Sequence, residues 1–165
     1  MLDAINIGYR SIDTAQSYFN EKEAGEAIAE CDVPREELFI TTKVWIENNG
    51  YEKCKPSVLK LLEKLGLDYI DLILLHQPFS DYYGAYMALK ELYEEGIIKA
   101  IGVSNFYPNR LTDICFFERK IIPSINQVET NPLYAQYESQ ANMRKEWSTY
   151  CGMDTFRRRN AGNVH

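Results

Sequence analysis

The chain lacks the features that mark several large classes of protein. Its four cysteines form no Cys-x-x-Cys pair, which argues against a zinc or redox motif and favours reduced thiols in a cytoplasmic protein. Acidic residues outnumber basic ones by 24 to 18 and the net charge is −6, so no nucleic-acid partner is expected. The longest mostly apolar run, residues 70–75, is far shorter than the roughly 20 residues that a membrane-spanning helix needs. No membrane partner and no signal peptide are therefore expected.

Short apolar runs alternate with segments of helical periodicity along the 165 residues. The predicted strands are residues 9–13, 38–43, 69–75, 98–103 and 124–128. Between them, Val58, Leu61, Leu62 and Leu65 show the clearest helical spacing, with Gly66 as the stop signal. Similar periodicity predicts helices that follow the later strands, one of them with Pro108 in its first turn and the last over residues 136–146. Asn20 and Glu23 have the spacing of a capping box at the start of an earlier helix.

Five successive βα units predict a parallel α/β fold. An open, doubly wound sheet that binds a dinucleotide would have Gly-x-Gly-x-x-Gly after its first strand, and no such motif is present. Polar residues at the ends of the strands favour a (β/α)8 TIM barrel instead, because its active sites lie at the carboxyl ends of the strands. A full barrel takes about 250 residues. The prediction is therefore a partial TIM barrel of about five βα units.

Four polar residues stand where apolar runs end: Asp13, Tyr18, Lys43 and His76. A phenol is a weak acid that titrates near pH ~10 in water, and a neighbouring ammonium favours its phenolate form. Lys43 can supply that charge, Asp13 can hold Lys43, and His76 can donate a hydrogen bond to a substrate oxygen. Together they could protonate a carbonyl oxygen. Since the sequence contains neither a metal-ligand cluster nor a nucleophile–base pair, an external cofactor would have to deliver the hydride.

Each of the four residues also fits a structural role when it is taken alone. The aspartate could be a turn or helix-cap residue, the tyrosine a packing residue, the lysine a solvated strand end and the histidine part of a turn. Their joint occurrence at successive strand ends favours a proton-transfer site.

The motifs around these residues resemble those of the aldo-keto reductases. The matching segments are residues 8–15 (Gly-Tyr-Arg-Ser-Ile-Asp-Thr-Ala), 38–45, 67–72, 74–78, 102–106 and 126–129. Bacterial members that reduce 2,5-diketo-gluconate and similar small carbonyl compounds are the most similar subgroup. The resemblance implies NADPH-dependent reduction of a small aldehyde or ketone.

The resemblance also implies a role for each matching residue. Tyr18 would be the general acid, tuned by Lys43 and Asp13, and His76 would orient the carbonyl group. Trp45 would line the substrate pocket beside His76. The nicotinamide would be held by Asp13, Ser104, Asn105 and Gln127. No residue is expected to bind a metal, and the sequence leaves the oligomeric state open.

The resemblance covers residues 1–145 and stops before the predicted tail, residues 146–165. The family's first strand and its last two strands are expected to be absent. A reading frame shifted by one nucleotide near Lys145 would encode a peptide that resembles the next family strand, so the hypothesis is that the tail is frameshifted. Such a chain is expected to be marginally stable, to aggregate or pair with another fragment, and to have weak or no activity.

Two alternatives to an active reductase stay open at this point. The chain could be a non-catalytic binding or regulatory module derived from a barrel, or the product of a pseudogene. The four intact polar residues argue against a module that has lost catalysis.

Overall fold

The computed structural model describes residues 1–131, 133–146 and 149–153, which form one parallel sheet packed with helices. The strands are β1 Ser11–Asp13, β2 Phe39–Val44, β3 Leu72–Leu75, β4 Ile101–Ser104, β5 Ile125–Glu129 and β6 Thr149–Met153. They are hydrogen-bonded in chain order, each parallel to the next. Such sequential order is that of a (β/α)8 barrel rather than of a doubly wound sheet.

A helix follows each of the first five strands. The helices are α1 Leu2–Asn6, α2 Glu21–Glu30, α3 Tyr51–Leu65, α4 Tyr82–Glu94, α5 Pro108–Phe117 and α6 Tyr137–Lys145. Short 3₁₀ turns at Gln16–Tyr18, Arg35–Glu37 and Ile46–Asn48 complete the connections. Five βα units are thus followed by a sixth strand, which confirms the predicted partial barrel.

The predicted tail, residues 146–165, includes the last strand of the sheet, β6. The backbone of β6 pairs with β5 from Ile125↔Thr149 to Glu129↔Met153, while residues 154–165 lie outside the described residues. The boundary at residue 145 and the frameshift remain predictions.

Most helix ends follow the sequence signals, with one exception. Gly66 ends α3 with φ +64, a left-handed conformation that glycine adopts without steric cost, and Pro108 stands at the start of α5 as expected. The capping box predicted for Asn20 and Glu23 is wrong. Asn20 is the N-cap residue of α2 but caps no backbone amide with its side chain, because its Oδ1 accepts from Thr14 Oγ1 at 2.9 Å.

Alternate residues of each strand face the helices and the concave side of the sheet. In β3, Ile73 and Leu75 pack into the core with Leu61 of α3 and Leu89 of α4. Leu74 is also fully buried but lies in register with Lys43 of β2, on the other face. Since β3 is covered on both faces, its sequence is an uninterrupted apolar run.

The sheet is strongly curved. Gln127 Nε2 of β5 donates to Asp13 Oδ2 of β1 at 2.7 Å, although three strands separate β1 from β5 in the sheet. Such a contact is possible only across the concave side of a barrel-like sheet. The curvature therefore brings the carboxyl ends of distant strands to one place.

The amino end of the sheet has its own polar cluster. Arg35 Nη2 lies 2.7 Å from Asp71 Oδ2, and its guanidinium stacks 4.1 Å from the centre of the Tyr69 ring. Asp71 also accepts from the backbone amide of Ile40 at 2.8 Å. This cluster ties the chain before β2 to the chain before β3, at the end of the barrel where residues serve stability rather than catalysis.

Candidate active site

Lys43 is the most deeply buried charged group at the carboxyl end of the sheet. Its side chain is 2% exposed and forms an ion pair with Asp13 Oδ1. Its Nζ also donates to the carbonyl oxygen of Thr14 at 3.2 Å. A buried ammonium is costly unless a countercharge and hydrogen bonds compensate it, and both are present here. The structural alternative for Lys43, a lysine exposed to solvent at the end of a strand, is therefore ruled out.

Asp13 is shared between two partners. One carboxylate oxygen pairs with Lys43 and the other accepts from Gln127 Nε2 at 2.7 Å. Because its side chain remains 40% exposed, the carboxylate keeps contact with solvent while it neutralises a lysine that does not. Asp13 thus fixes the position of the Lys43 ammonium.

Tyr18 lies above this ion pair. It ends the 3₁₀ turn Gln16–Tyr18 that follows β1, and the residue is 51% exposed. Lys43 Nζ lies 5.4 Å from the centre of the Tyr18 ring. The structure therefore places a cation beside an accessible phenol, as the sequence predicted, without burying the phenol.

His76 follows β3 and is bound to β2 through its backbone, since its amide donates to Val44 O at 3.2 Å. Its ring meets Tyr18 edge to face, with centroids 6.3 Å apart, and Trp45 in the same way at 5.2 Å. Burial, reinforced by the positive charge of Lys43 and opposed by Asp13, lowers the pKa of His76 below its ordinary value of 6.5. The ring is therefore neutral at neutral pH and can donate from only one nitrogen.

The residues predicted to hold a nicotinamide cluster at the ends of β4 and β5. Asn105 has φ +61, a left-handed conformation that asparagine tolerates. Its Nδ2 donates to His76 O and to Ser104 Oγ, both at 3.2 Å, and its backbone amide donates to Gln127 O at 2.9 Å. The structure thus joins Ser104, Asn105 and Gln127 to each other and to the strand end that leads to His76.

Gln127 holds an unused hydrogen-bond acceptor. Its amide nitrogen is engaged by Asp13, but its Oε1 is buried and has no hydrogen-bond partner within the described residues. A buried acceptor without a partner is destabilising. A ligand that presents an amide N–H, such as the carboxamide of a nicotinamide, has the donor that this oxygen lacks.

Two residues of the site were missed by sequence reasoning. Gln16 Oε1 accepts from the Trp45 amide and from Asn48 Nδ2, both at 2.8 Å. Ser17 Oγ lies 3.5 Å from His76 Nδ1. Both precede Tyr18 in the same 3₁₀ turn, so their position between Asp13 and Tyr18 was the one signal available.

A cavity of about 420 Å³ is lined in part by Gln77, Phe79, Asn105 and Tyr107. Through Asn105 the cavity adjoins the hydrogen-bonded residues at the ends of β4 and β5.

Within the part of the chain that the structure describes, no group of three or more His, Cys, Asp or Glu side chains could hold a metal ion. None of the described helices is long and apolar enough to cross a membrane.

The comparisons with known proteins agree on one family. The model of the Aldo/keto reductase family matches residues 1–151. Over 134 residues the chain is 50% identical to the 9,11-endoperoxide prostaglandin H2 reductase of Trypanosoma cruzi, a match that covers 81% of this chain and 47% of that protein. Over 136 residues it is 50% identical to the glyoxal reductase of Bacillus subtilis, which covers 82% of this chain and 49% of that protein. The chain thus spans about half the length of the curated relatives it matches.

Solved structures show the same relationship. The Bombyx mori aldo-keto reductase in complex with NADP superposes with a TM-score of 0.91 at 33% identity, covering 99% of this chain and 59% of that one. A putative 2,5-diketo-D-gluconic acid reductase B superposes with a TM-score of 0.89 at 35% identity, covering 93% of this chain and 55% of that one. The described fold is therefore part of the barrel that these proteins share.

Proposed function

The chain belongs to the aldo/keto reductase family, and on that premise we propose that it provides the proton-transfer site for the NADPH-dependent reduction of small aldehydes and ketones to alcohols. The observation that carries the proposal is the buried Lys43–Asp13 ion pair beside the accessible ring of Tyr18. An ion pair at this position, next to a phenol and a neutral imidazole, is suited to moving one proton.

The positions of the side chains support one role for each of them in this proposal. Tyr18 donates its phenolic proton to the carbonyl oxygen, so that its O–H bond breaks as the alcohol O–H bond forms. The Lys43 ammonium stabilises the phenolate that remains, and Asp13 holds that ammonium in place. His76, neutral because its pKa is lowered, donates a hydrogen bond to the same carbonyl oxygen and orients it. Trp45 packs against the His76 ring and borders the space for the substrate.

The residues at the ends of β4 and β5 fit a nicotinamide. The buried, unpartnered Oε1 of Gln127 can accept from a carboxamide N–H, while Ser104 and Asn105 supply a hydroxyl and an amide at the same edge. Asp13, bound to Gln127, completes that edge. When bound, NADPH would supply the hydride to the carbonyl carbon. The complex of the Bombyx mori relative with NADP supports this choice of cofactor.

Two of the relatives are named for small carbonyl compounds. The Bacillus subtilis relative is named for glyoxal, and a structural relative for 2,5-diketo-D-gluconic acid. Glyoxal has two adjacent carbonyl groups, and 2,5-diketo-D-gluconic acid has ketone groups beside hydroxyl or carboxyl groups, so both can accept several hydrogen bonds from donors in a site. We therefore infer a small, polar aldehyde or ketone for this chain.

The test is a comparison of Tyr18→Phe with the unmodified chain. NADPH consumption with glyoxal is followed by its absorbance, and NADPH affinity by its fluorescence. Loss of a general acid costs about 10²–10⁴-fold in rate, so turnover should fall at least a hundredfold while NADPH affinity stays the same. Tyr93→Phe, on the exposed surface of α4, is the matched control and should change neither. Equal turnover by the Tyr18 variant, or the absence of both NADPH binding and turnover in the unmodified chain, would refute the proposal.

A further inference from the structure

We propose that Ser17 is a positioning residue whose hydroxyl donates to Nδ1 of His76 and so keeps the ring proton on Nε2. Only in that tautomer can Nε2 donate to a carbonyl oxygen. The consequence for catalysis rests on the proposed function, while the contact between the two side chains belongs to the structure itself.

The geometry singles out Ser17. Its Oγ lies 3.5 Å from His76 Nδ1, at the long end of the hydrogen-bond range, and catalytic hydrogen bonds often shorten when a substrate binds. Within the described residues, neither Ser17 Oγ nor His76 Nδ1 has another hydrogen-bond partner. Tyr18 and Trp45 both contact the imidazole edge to face, and these contacts restrict the rotation of the ring.

The chemistry then selects the tautomer. A neutral imidazole has one N–H donor and one acceptor nitrogen, and burial and Lys43 keep this ring neutral. A carbonyl oxygen only accepts, so a productive substrate needs the proton on Nε2. Nδ1 must then accept, and the Ser17 hydroxyl is the one donor within its reach among the described residues. Without that hydroxyl, the productive tautomer would leave a half-buried acceptor without a protein partner.

Gln16 keeps the serine in place. Its Oε1 binds the Trp45 amide and Asn48 Nδ2 at 2.8 Å each, and its Nε2 donates to Ser57 Oγ at 3.3 Å. The side chain thus joins the turn after β1 to the turn after β2 and to α3. Because Ser17 is the next residue of that turn, its hydroxyl has little freedom to move away from His76.

The experiment measures the tautomer directly by ¹⁵N NMR of the imidazole. The chain has two histidines, so a His165→Asn background leaves the His76 signals without ambiguity. Ser17→Thr and Ser17→Val are compared in this background at a pH above the titration of the ring. The two variants have nearly the same shape, and only the first keeps a hydroxyl.

With serine or threonine at position 17, we expect Nε2 to be protonated and Nδ1 to accept. With Ser17→Val the ring should become a mixture of tautomers, and kcat/KM should fall about three- to tenfold, the usual effect of one neutral hydrogen bond. A proton on Nδ1 in the unmodified chain, or the same tautomer in Ser17→Val, would overturn the proposal. If the tautomer responds as expected but the unmodified chain neither binds NADPH nor reduces glyoxal, the positioning role stands and the proposed function fails.

Discussion

The two partners of the Lys43–Asp13 ion pair should contribute unequally to stability, because they are buried to different extents. The lysine side chain is 2% exposed and the aspartate side chain 40% exposed. Asp13→Asn leaves a buried ammonium without its countercharge. Lys43→Met instead leaves a carboxylate that reaches solvent and still accepts from Gln127 at 2.7 Å, and the methionine fills most of the vacated volume.

The magnitudes follow from these exposures. Removing one partner of a buried ion pair costs about 3–5 kcal/mol when the other is left buried, which is the case for Asp13→Asn. The loss for Lys43→Met should be about 1–2 kcal/mol, the scale of a lost hydrogen bond to a charged group. The double variant has no buried charge, so it should recover most of the difference between Asp13→Asn and Lys43→Met.

The assay is urea denaturation followed by circular dichroism, with the four proteins of the double-mutant cycle compared at constant m-value. Total stabilities of small domains are about 5–15 kcal/mol, so Asp13→Asn should lose a large part of its stability, and the double variant should unfold at a higher urea concentration than Asp13→Asn. Equal losses for the two single variants, or a double variant less stable than Asp13→Asn, would refute the argument that burial of Lys43 decides the cost.

Three other predictions concern the fold and its pH dependence. A Cβ on Gly25 would lie 2.5 Å from Leu65 O, so Gly25→Ala should force α2 and α3 apart. The unfolding free energy should fall by about 1–3 kcal/mol. An unchanged urea midpoint would contradict this prediction. Asp71→Ala should lower the unfolding free energy by about 2–4 kcal/mol in the same assay, because it leaves Arg35 and the backbone amide of Ile40 without their acceptor. A loss below about 0.5 kcal/mol, as expected of an ordinary surface residue, would refute this prediction. Because the pKa of His76 is lowered in the folded chain, its unfolded form binds more protons, and its stabilising contribution is lost as pH falls below about 6.5 toward the folded pKa. His76→Gln should therefore lose less stability than the unmodified chain between neutral and mildly acidic pH, and parallel pH profiles would exclude that role.

The strand pattern was predictable because strands buried on both faces have few polar residues. Residues 70–75 stood out for this reason, and β3 is covered by helices on one face and by neighbouring strands' side chains on the other. The amino ends of the strands were predicted too early: β1 begins at Ser11 and β4 at Ile101. Ile70 and Ile98 lie before β3 and β4 and are fully buried, yet among the described residues they are joined by an isolated bridge and not by a strand ladder. Apolar character reports burial and not the backbone pairing that defines a strand.

The capping signal at Asn20 failed for a related reason. Asparagine can cap a helix only if its side chain is free to do so, and here Thr14 uses the oxygen. A competing partner six residues away along a turn is invisible to a motif of four positions. Gln16 and Ser17 were missed in the same way, since their partners Trp45 and His76 are distant in sequence.

The sequence by itself determined the residue types at the strand ends, and with them the acid, the amine and the imidazole that make proton transfer possible. Only the tertiary structure decided which of these groups touch. The curvature of the sheet brings Asp13 to Gln127 across three strands, and burial makes Lys43 dependent on Asp13. The physical reason is that residue type sets what a side chain can donate or accept. Its partners and its contact with water depend on the path of the whole chain.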